Sequence, residues 1–273
     1  MSYRLGLIGR NISYSLSPQI HEWGLRTLGL QGEYQIYDIA AEEIEPLLRK
    51  GEWDGLNVTV PYKTDVIRYC SRVTLTAQAA RAANCVYREQ DAIIGDNFDG
   101  AGFRFALNSL NNRERVLQSA LIIGSGGAAR AVAANLIADY PKLSITIVAR
   151  NPEAARQLIS LSERMAIVTV DEMKCTAIIY DLVVQATPIG SVNTPGLPLD
   201  VPLPMTSDAL VMDLIYAPRK TDFLKQAEQR GARIMNGLPM LIGQAAASFT
   251  RWTGQTFPLE QAMRELMPKL ERA

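Results

Sequence analysis

The chain is poor in the residue types on which several chemistries depend. It has one histidine, His21, among 273 residues. A Ser/His/Asp triad, a site with several histidine ligands or a histidine proton relay would each have to be built on that single imidazole. His21 falls early in SPQIHEWGLRTLGL, which reads as a helix with Ser17 as N-cap and Pro18 in the first turn. A packing role for His21 is favoured there over a catalytic one. The three cysteines, Cys70, Cys85 and Cys175, are odd in number, far apart and free of any CxxC pair, which argues against a disulfide framework and a zinc site and for free thiols. No apolar run approaches the ~20 residues of a membrane helix, and the run in MSYRLGLIG is too short for a signal peptide, so a cytoplasmic protein without a membrane partner is expected. Nor is there an excess of charge of either sign. The 28 Lys plus Arg balance 28 Asp plus Glu, which leaves no global field to gather nucleic acid. The expected partner is a small molecule.

What is present is an alternation of short strands and helices. RLGLIG, EYQIYDI and LNVTV read as strands, with helices from Pro18 and over EEIEPLLRK between them, the pattern of an α/β layer. Residues 64–82 are helical in composition, and NCVYRE followed by AIIGDN reads as a β-hairpin. After a helical connector at Gly102–Asn111 a second series begins with VLQSALIIG, LSITIVAR, IIYDLVVQAT, ALVMDLIY and ARIMNG. These runs are apolar on both faces, as in a parallel sheet covered on both sides. Thr194–Pro204 reads as a proline-rich surface loop, and the helices from Leu241 onward as packing back on the first domain. The expected fold is α/β in two domains. An N-terminal α/β substrate domain comprises residues 1–103 and 241–273, and a doubly wound Rossmann dinucleotide-binding domain comprises residues 104–240.

The strand VLQSALIIG runs into Gly124, Ser125, Gly126, Gly127 and Ala128, followed by a helix over RAVAANLIADY. Gly124 permits a tight turn and Gly126 a close approach of backbone to phosphate, while the free N–H groups and dipole of the helix start suit a pyrophosphate. The spacing is GxGGxx rather than GxGxxG, so the strand before it and the helix after it carry the reading. At the end of the next strand an acidic residue would take the 2′-OH of NAD and an arginine the 2′-phosphate of NADP. This chain offers Arg150, which favours NADP and leaves NAD as an alternative.

Polar residues gather at the strand ends and loop starts of the first half: Ser15, Ser17, Asn57, Thr59, Lys63, Asn84 and Asp99. In order along the chain, SYSLSPQIH, LNVTVPYK, AANCVY, GDNFDG, GSGGAAR, QATPIG, DLIYAP and GLPMLIGQAAASFTRWTG resemble the shikimate dehydrogenase family, which includes shikimate and quinate dehydrogenases, nearly end to end. The resemblance implies that Ser15 and Ser17 bind the substrate carboxylate. It implies that Thr59, Asn84, Tyr216 and Gln244 line the substrate side, and that Lys63 and Asp99 form the catalytic dyad. It also places Thr187 of QATPIG near the nicotinamide and Gly237 beside the cofactor. The implied reaction is NADP-dependent, reversible reduction of 3-dehydroshikimate to shikimate or a close analogue, by a monomer or homodimer in aromatic amino acid biosynthesis. A carboxylate beside Lys63 favours its ammonium form, which can protonate a developing alkoxide.

Two positions beside the implied substrate contacts depart from the family pattern, as does the run Ala149, Arg150, Asn151 where the family has NRT. Cys85 follows Asn84 where the family has threonine, and Phe98 precedes Asp99 where the family again has threonine. Each removes a hydroxyl, and the Phe98 ring would narrow or dry the pocket, so quinate or another ring hydroxy acid competes with shikimate as substrate. A non-catalytic dinucleotide or metabolite sensor on the same fold is the alternative from a different class.

Overall fold

Alternating apolar residues and β-branched side chains build two six-stranded sheets, each in its own compact unit. The computed structural model describes residues 2–112, 115–151, 155–156, 162–174 and 178–271. The first unit comprises residues 1–102 and 241–273, and the second residues 103–240. Among the described residues no helix is long and apolar enough to cross a membrane.

In the first unit the strand order is β2-β1-β3-β5-β6-β4, with β1 at Ser2–Gly9, β2 at Gln31–Asp38, β3 at Gly55–Val58, β4 at Arg72–Val73, β5 at Cys85–Glu89 and β6 at Ala92–Asp96. β1 pairs in parallel with both β2 and β3, while β5 and β6 form an antiparallel hairpin whose first strand runs antiparallel to β3. Ile8, Leu56, Val58 and Val86 meet Ile44, Leu48, Trp53 and Val66 in one apolar cluster. A separate ring cluster joins His21 of the helix Ser17–Thr27 to Phe249 and Trp252 of the helix Leu238–Thr253.

Two expectations need correction here. Residues 64–82 are not one helix: Asp65–Tyr69 form a 3-10 turn, Arg72–Val73 pair with β6, and only Leu75–Ala80 are α-helical. The β-branched Val66, Ile67, Val73, Thr74 and Thr76 disfavour a continuous helix. Thr74 also caps the short helix, its hydroxyl accepting from the Ala77 N–H, while Thr74 and Thr76 both donate to Asp96. Nor is Ser17 an N-cap: Leu16 holds that position and Ser17 is the first helical residue. The Ser17 N–H donates to the hydroxyl of Ser15, so the earlier serine secures the chain at the helix start.

The second unit's sheet is parallel throughout, in the order β12-β11-β10-β7-β8-β9. Its strands are β7 Ser119–Ile123, β8 Ser144–Val148, β9 Met165–Val168, β10 Tyr180–Gln185, β11 Met205–Asp213 and β12 Arg233–Met235. Successive residues enter opposite cores. Ala120 and Ile122, Leu182 and Val184, and Leu210 and Met212 fill one side. Leu121 and Ile123, Val183, and Ala209 and Val211 fill the other. Both faces are therefore covered, as continuous apolar runs require. The chain winds from β7 outward through β8 to β9 and then restarts at β10 on the other side, so the strand order reverses between β7 and β10. Ligands bind at such a reversal, beyond the carboxyl ends of the strands.

Candidate active site

Asp99 opens the helix Asp99–Asn111 directly after the β5–β6 hairpin, and Lys63 stands on the turn that follows β3. The Lys63 Nζ donates to Asp99 Oδ2 at 2.7 Å. The other carboxylate oxygen, Oδ1, accepts from Asn84 Nδ2 at 2.8 Å. The Asp99 side chain is only 6% exposed, whereas that of Lys63 is 23% exposed. The carboxylate is thus an interior anchor and the ammonium is the member of the pair that a ligand can reach. Asn84 is fixed in turn: its Oδ1 accepts from the Phe98 N–H at 2.8 Å and its Nδ2 also donates to Gln244 Oε1 at 3.3 Å. The Asn97 side chain bonds the Ala82 carbonyl and accepts from the Asp99 N–H, which sets the start of the helix. Lys63, Asp99, Asn84 and Gln244 therefore form one connected polar chain in the first unit.

Ser15 and Ser17 lie together, with 3.2 Å between their hydroxyl oxygens. Thr59 follows β3, its N–H donating to Ile8 and its carbonyl accepting from Tyr62. Tyr34 and Ser248, which sequence reasoning missed, connect to the same region, as does Asn57. The Tyr34 phenol donates to Asn57 Oδ1 at 2.8 Å, and Asn57 Nδ2 donates to the Asn84 carbonyl and to the Ser248 hydroxyl. Burial pushes the Tyr34 phenol well above its usual range, against the hydroxyl of Ser17. It therefore remains a donor. Tyr34 is the one buried residue of β2, so the strand offers no alternating pattern that would have singled it out.

Phe98 is half-buried, and its side chain, unlike its backbone, makes no hydrogen bond by its chemistry. Cys85 is fully buried, and its thiol is pushed far up by burial, with Ser248 and Trp252 beside it. The Cys70 thiol is raised to about 11 by the same cause. Both are free thiols; Cys175 lies outside the described residues.

In the second unit a cavity of about 270 Å³ opens at the carboxyl ends of β7, β8 and β10. Gly124, Ser125 and Gly126 form one part of it, Ala149, Arg150 and Asn151 another, and Ala186, Thr187, Pro188 and Ile189 a third. Gly124 has φ +113, and a Cβ there would lie 2.9 Å from Thr187 Cγ2, so the turn and the Thr187 segment are in close contact. A Cβ on Gly126, by contrast, would meet no protein atom within 4 Å. Gly126 precedes the 13-residue helix Gly127–Asp139, whose first turn holds Gly127 and Ala128. Its leading N–H groups have no intrahelical partners, and the exposed Arg150 stands at the rim. Open space before a helix start, flanked by a cation, fits the pyrophosphate and ribose phosphate of a dinucleotide.

Two further residues fall elsewhere in this unit. Tyr216 is half-buried on the segment after β11 and is not among the residues lining the cavity. Gly237 is buried, its N–H donating to the Ile215 carbonyl, and a Cβ there would lie 2.1 Å from the Leu214 carbonyl oxygen. Backbone crowding is what requires glycine at 237.

Residues 7–86 match the shikimate dehydrogenase substrate binding domain, and residues 237–267 match the shikimate 5'-dehydrogenase C-terminal domain. A shikimate dehydrogenase (NADP(+)) from an Exiguobacterium species is 40% identical over 256 residues, which span 92% of each chain. Among solved structures, a shikimate dehydrogenase in complex with NADP+ superposes with a TM-score of 0.87 at 32% identity, over 98% of this chain and 96% of that one. A quinate dehydrogenase from Corynebacterium glutamicum in complex with NAD gives 0.85 at 26% identity, over 98% and 99%. A two-unit α/β fold, a Gly124–Gly126 turn entering a helix, and identity of this extent across nearly the whole sequence agree, and the chain belongs to the shikimate dehydrogenase family.

Proposed function

We propose that this protein catalyses the reversible, NADP-dependent reduction of 3-dehydroshikimate to shikimate. The observation that carries the reading is the 2.7 Å contact between a partly exposed ammonium, Lys63, and a buried carboxylate, Asp99. Residues 1–103 with 241–273 bind the ring acid, and residues 104–240 bind the dinucleotide. The reduced nicotinamide supplies a hydride to the ketone carbon. As the C=O π electrons move to oxygen, Lys63 donates a proton to it, and Asp99, held by Asn84, keeps the ammonium aimed. Ser15 and Ser17 receive the substrate carboxylate through their hydroxyls, Asn84 and Asp99 contact the ring hydroxyls, and Thr59, Tyr216 and Gln244 line the substrate side. Gly124, Ser125, Gly126, Gly127 and Ala128 hold the pyrophosphate, and Thr187 and Gly237 flank the nicotinamide side.

Steady-state rates on shikimate and on quinate, each with NADP and with NAD, test this directly by absorbance of the reduced nicotinamide. The expected result is the highest kcat/KM for shikimate with NADP. Turnover of neither acid with either cofactor, in a protein that still binds NADP, would make it a sensor rather than an enzyme. Quinate is the second reading because Phe98 stands beside Asp99, where a small hydrogen-bonding residue would read a ring hydroxyl.

Arg150 supports NADP over NAD. Replacing it with glutamine removes a charge-assisted hydrogen bond of ~1.5–3 kcal/mol to the 2′-phosphate, so kcat/KM with NADP falls roughly ten- to hundredfold. Rates with NAD stay about level, since Arg150 has no phosphate to meet there. Equal losses with both cofactors would show that Arg150 does not read the 2′-phosphate.

A further inference from the structure

Behind the cavity wall at 186–189 lies a buried polar network that none of the residues discussed so far explains. Gln185, the last residue of β10, is 0% exposed, as is Asp213, the last residue of β11. The Gln185 Oε1 accepts from the Thr187 N–H at 2.5 Å. Its Nε2 faces three oxygens: the Thr187 carbonyl at 3.1 Å, the Ile189 carbonyl at 2.8 Å and Asp213 Oδ1 at 3.4 Å. This fixes the orientation of the amide, because the reverse placement would set an oxygen against three acceptors. Asp213 is itself held, with Oδ1 accepting from the Ile215 N–H at 3.0 Å and Oδ2 from the Thr221 hydroxyl at 2.5 Å. Thr221 caps the helix Asp222–Gln229. One carboxylate and one amide thus tie together the segments that leave two neighbouring strands.

Gln185 is the turn template of this wall. A primary amide that both accepts from and donates to the backbone of residues 187 and 189 dictates the course of that backbone in place of regular secondary structure. The position is exacting because Thr187 Cγ2 would lie only 2.9 Å from a Cβ on Gly124, so a shifted wall would collide with the glycine turn or draw away from it. We propose that Gln185, anchored by Asp213, is a positioning residue for the dinucleotide cavity, holding Ala186–Ile189 in the bound shape before the cofactor arrives. The inference rests on the reading of that cavity as the dinucleotide site. Its energetic logic is preorganisation: a wall already ordered adds no ordering cost to binding.

The test uses the unmodified protein and its variants titrated with NADP by calorimetry, without ring acid. Gln185→Leu removes four hydrogen bonds, and the dissociation constant for NADP rises about tenfold or more. The KM for shikimate at saturating NADP changes less than the NADP affinity does, since Ser15, Ser17, Thr59, Asn84 and Gln244 of the first unit read that acid and only Tyr216 lies in the second. Asp213→Ala weakens NADP binding in the same direction. Asp213→Asn, which keeps an oxygen for Ile215 and Gln185, restores it to within about threefold of the parent. A folded Gln185→Leu protein with unchanged NADP affinity, or a Gln185→Leu loss that falls equally on both substrates, overturns the proposal. Hydrogen exchange of the unmodified protein needs no variant to fold: the Thr187 amide is expected to be protected before NADP is added. Exchange there as fast as in an open loop overturns the proposal as well. Should the unmodified protein fail to bind NADP at all, the dinucleotide reading falls, whereas the exchange result still reports on the wall.

Discussion

Replacing Lys63 with alanine lowers kcat by ~10² or more, with a much smaller change in KM. The asymmetry follows from when the ammonium is needed. A ketone oxygen in the bound substrate carries little charge, but an alkoxide forms as hydride arrives, and a donor already in place stabilises that charge without reorganising. Under the proposed function Lys63 is that donor, its Nζ held at 2.7 Å from a carboxylate whose second oxygen is taken by Asn84 at 2.8 Å. Lys63→Arg does not restore the rate, because a planar guanidinium that satisfies Asp99 with its fork presents its remaining N–H groups along different directions from a single ammonium. Single-turnover rates with bound NADPH separate the chemical step from release. A kcat close to that of the unmodified protein would remove Lys63 from the reaction and leave the Asp99 pair a structural one.

The parallel sheet of the second unit was legible because runs such as ALII in β7 and LVV in β10 are apolar at consecutive rather than alternate positions, the pattern of a strand covered on both faces. β9 escaped notice. At the edge of the sheet its residues MAIV run buried, exposed and then twice half-buried, with no alternation, and four residues give too short a pattern to read. β4 is shorter still, a pair of residues whose strand character comes from β6 rather than from their own preference. At the candidate site, the types Lys63, Asp99 and Asn84 were visible as polar residues at strand ends, but their union was not. Lys63 and Asp99 are 36 residues apart, and only family resemblance joined them. Asn57 to Ser248 spans 191 residues, a separation that no local pattern encodes. Gln185 and Asp213 looked like the ends of apolar strands. Their roles follow from the neighbouring placement of β10 and β11, which is a property of the sheet and not of either segment.

His21 makes the first unit acid-sensitive. Its ring is fully buried, stacked on Tyr34 at 4.4 Å and 4°, with Trp252 at 5.2 Å. Burial drives its pKa from 6.5 to about 3, the amide of Asn57 pulling weakly the other way. The sign follows from proton binding. Between pH 6.5 and about 3 the unfolded chain takes up a proton that the folded protein refuses, so stability is full above pH 6.5 and declines as pH falls. The decline is ~1.4 kcal/mol per pH unit, roughly 2 kcal/mol by pH 5 and roughly 5 kcal/mol at the end of the window. Asp213 acts in the opposite sense in the second unit, because burial raises its carboxyl from 3.8 to about 6 and that unit gains stability on acidification through this range. The two effects can be separated optically. All three tryptophans, Trp23, Trp53 and Trp252, belong to the first unit, so urea unfolding followed by tryptophan fluorescence reports on the unit that contains His21. His21→Phe keeps an aromatic ring in the stack and abolishes the titration, so its unfolding free energy changes less between pH 7 and about pH 5 than that of the unmodified protein, by roughly 2 kcal/mol. Parallel pH curves for the two proteins would show that His21 accepts its proton in the folded state and that the ring cluster tolerates the charge.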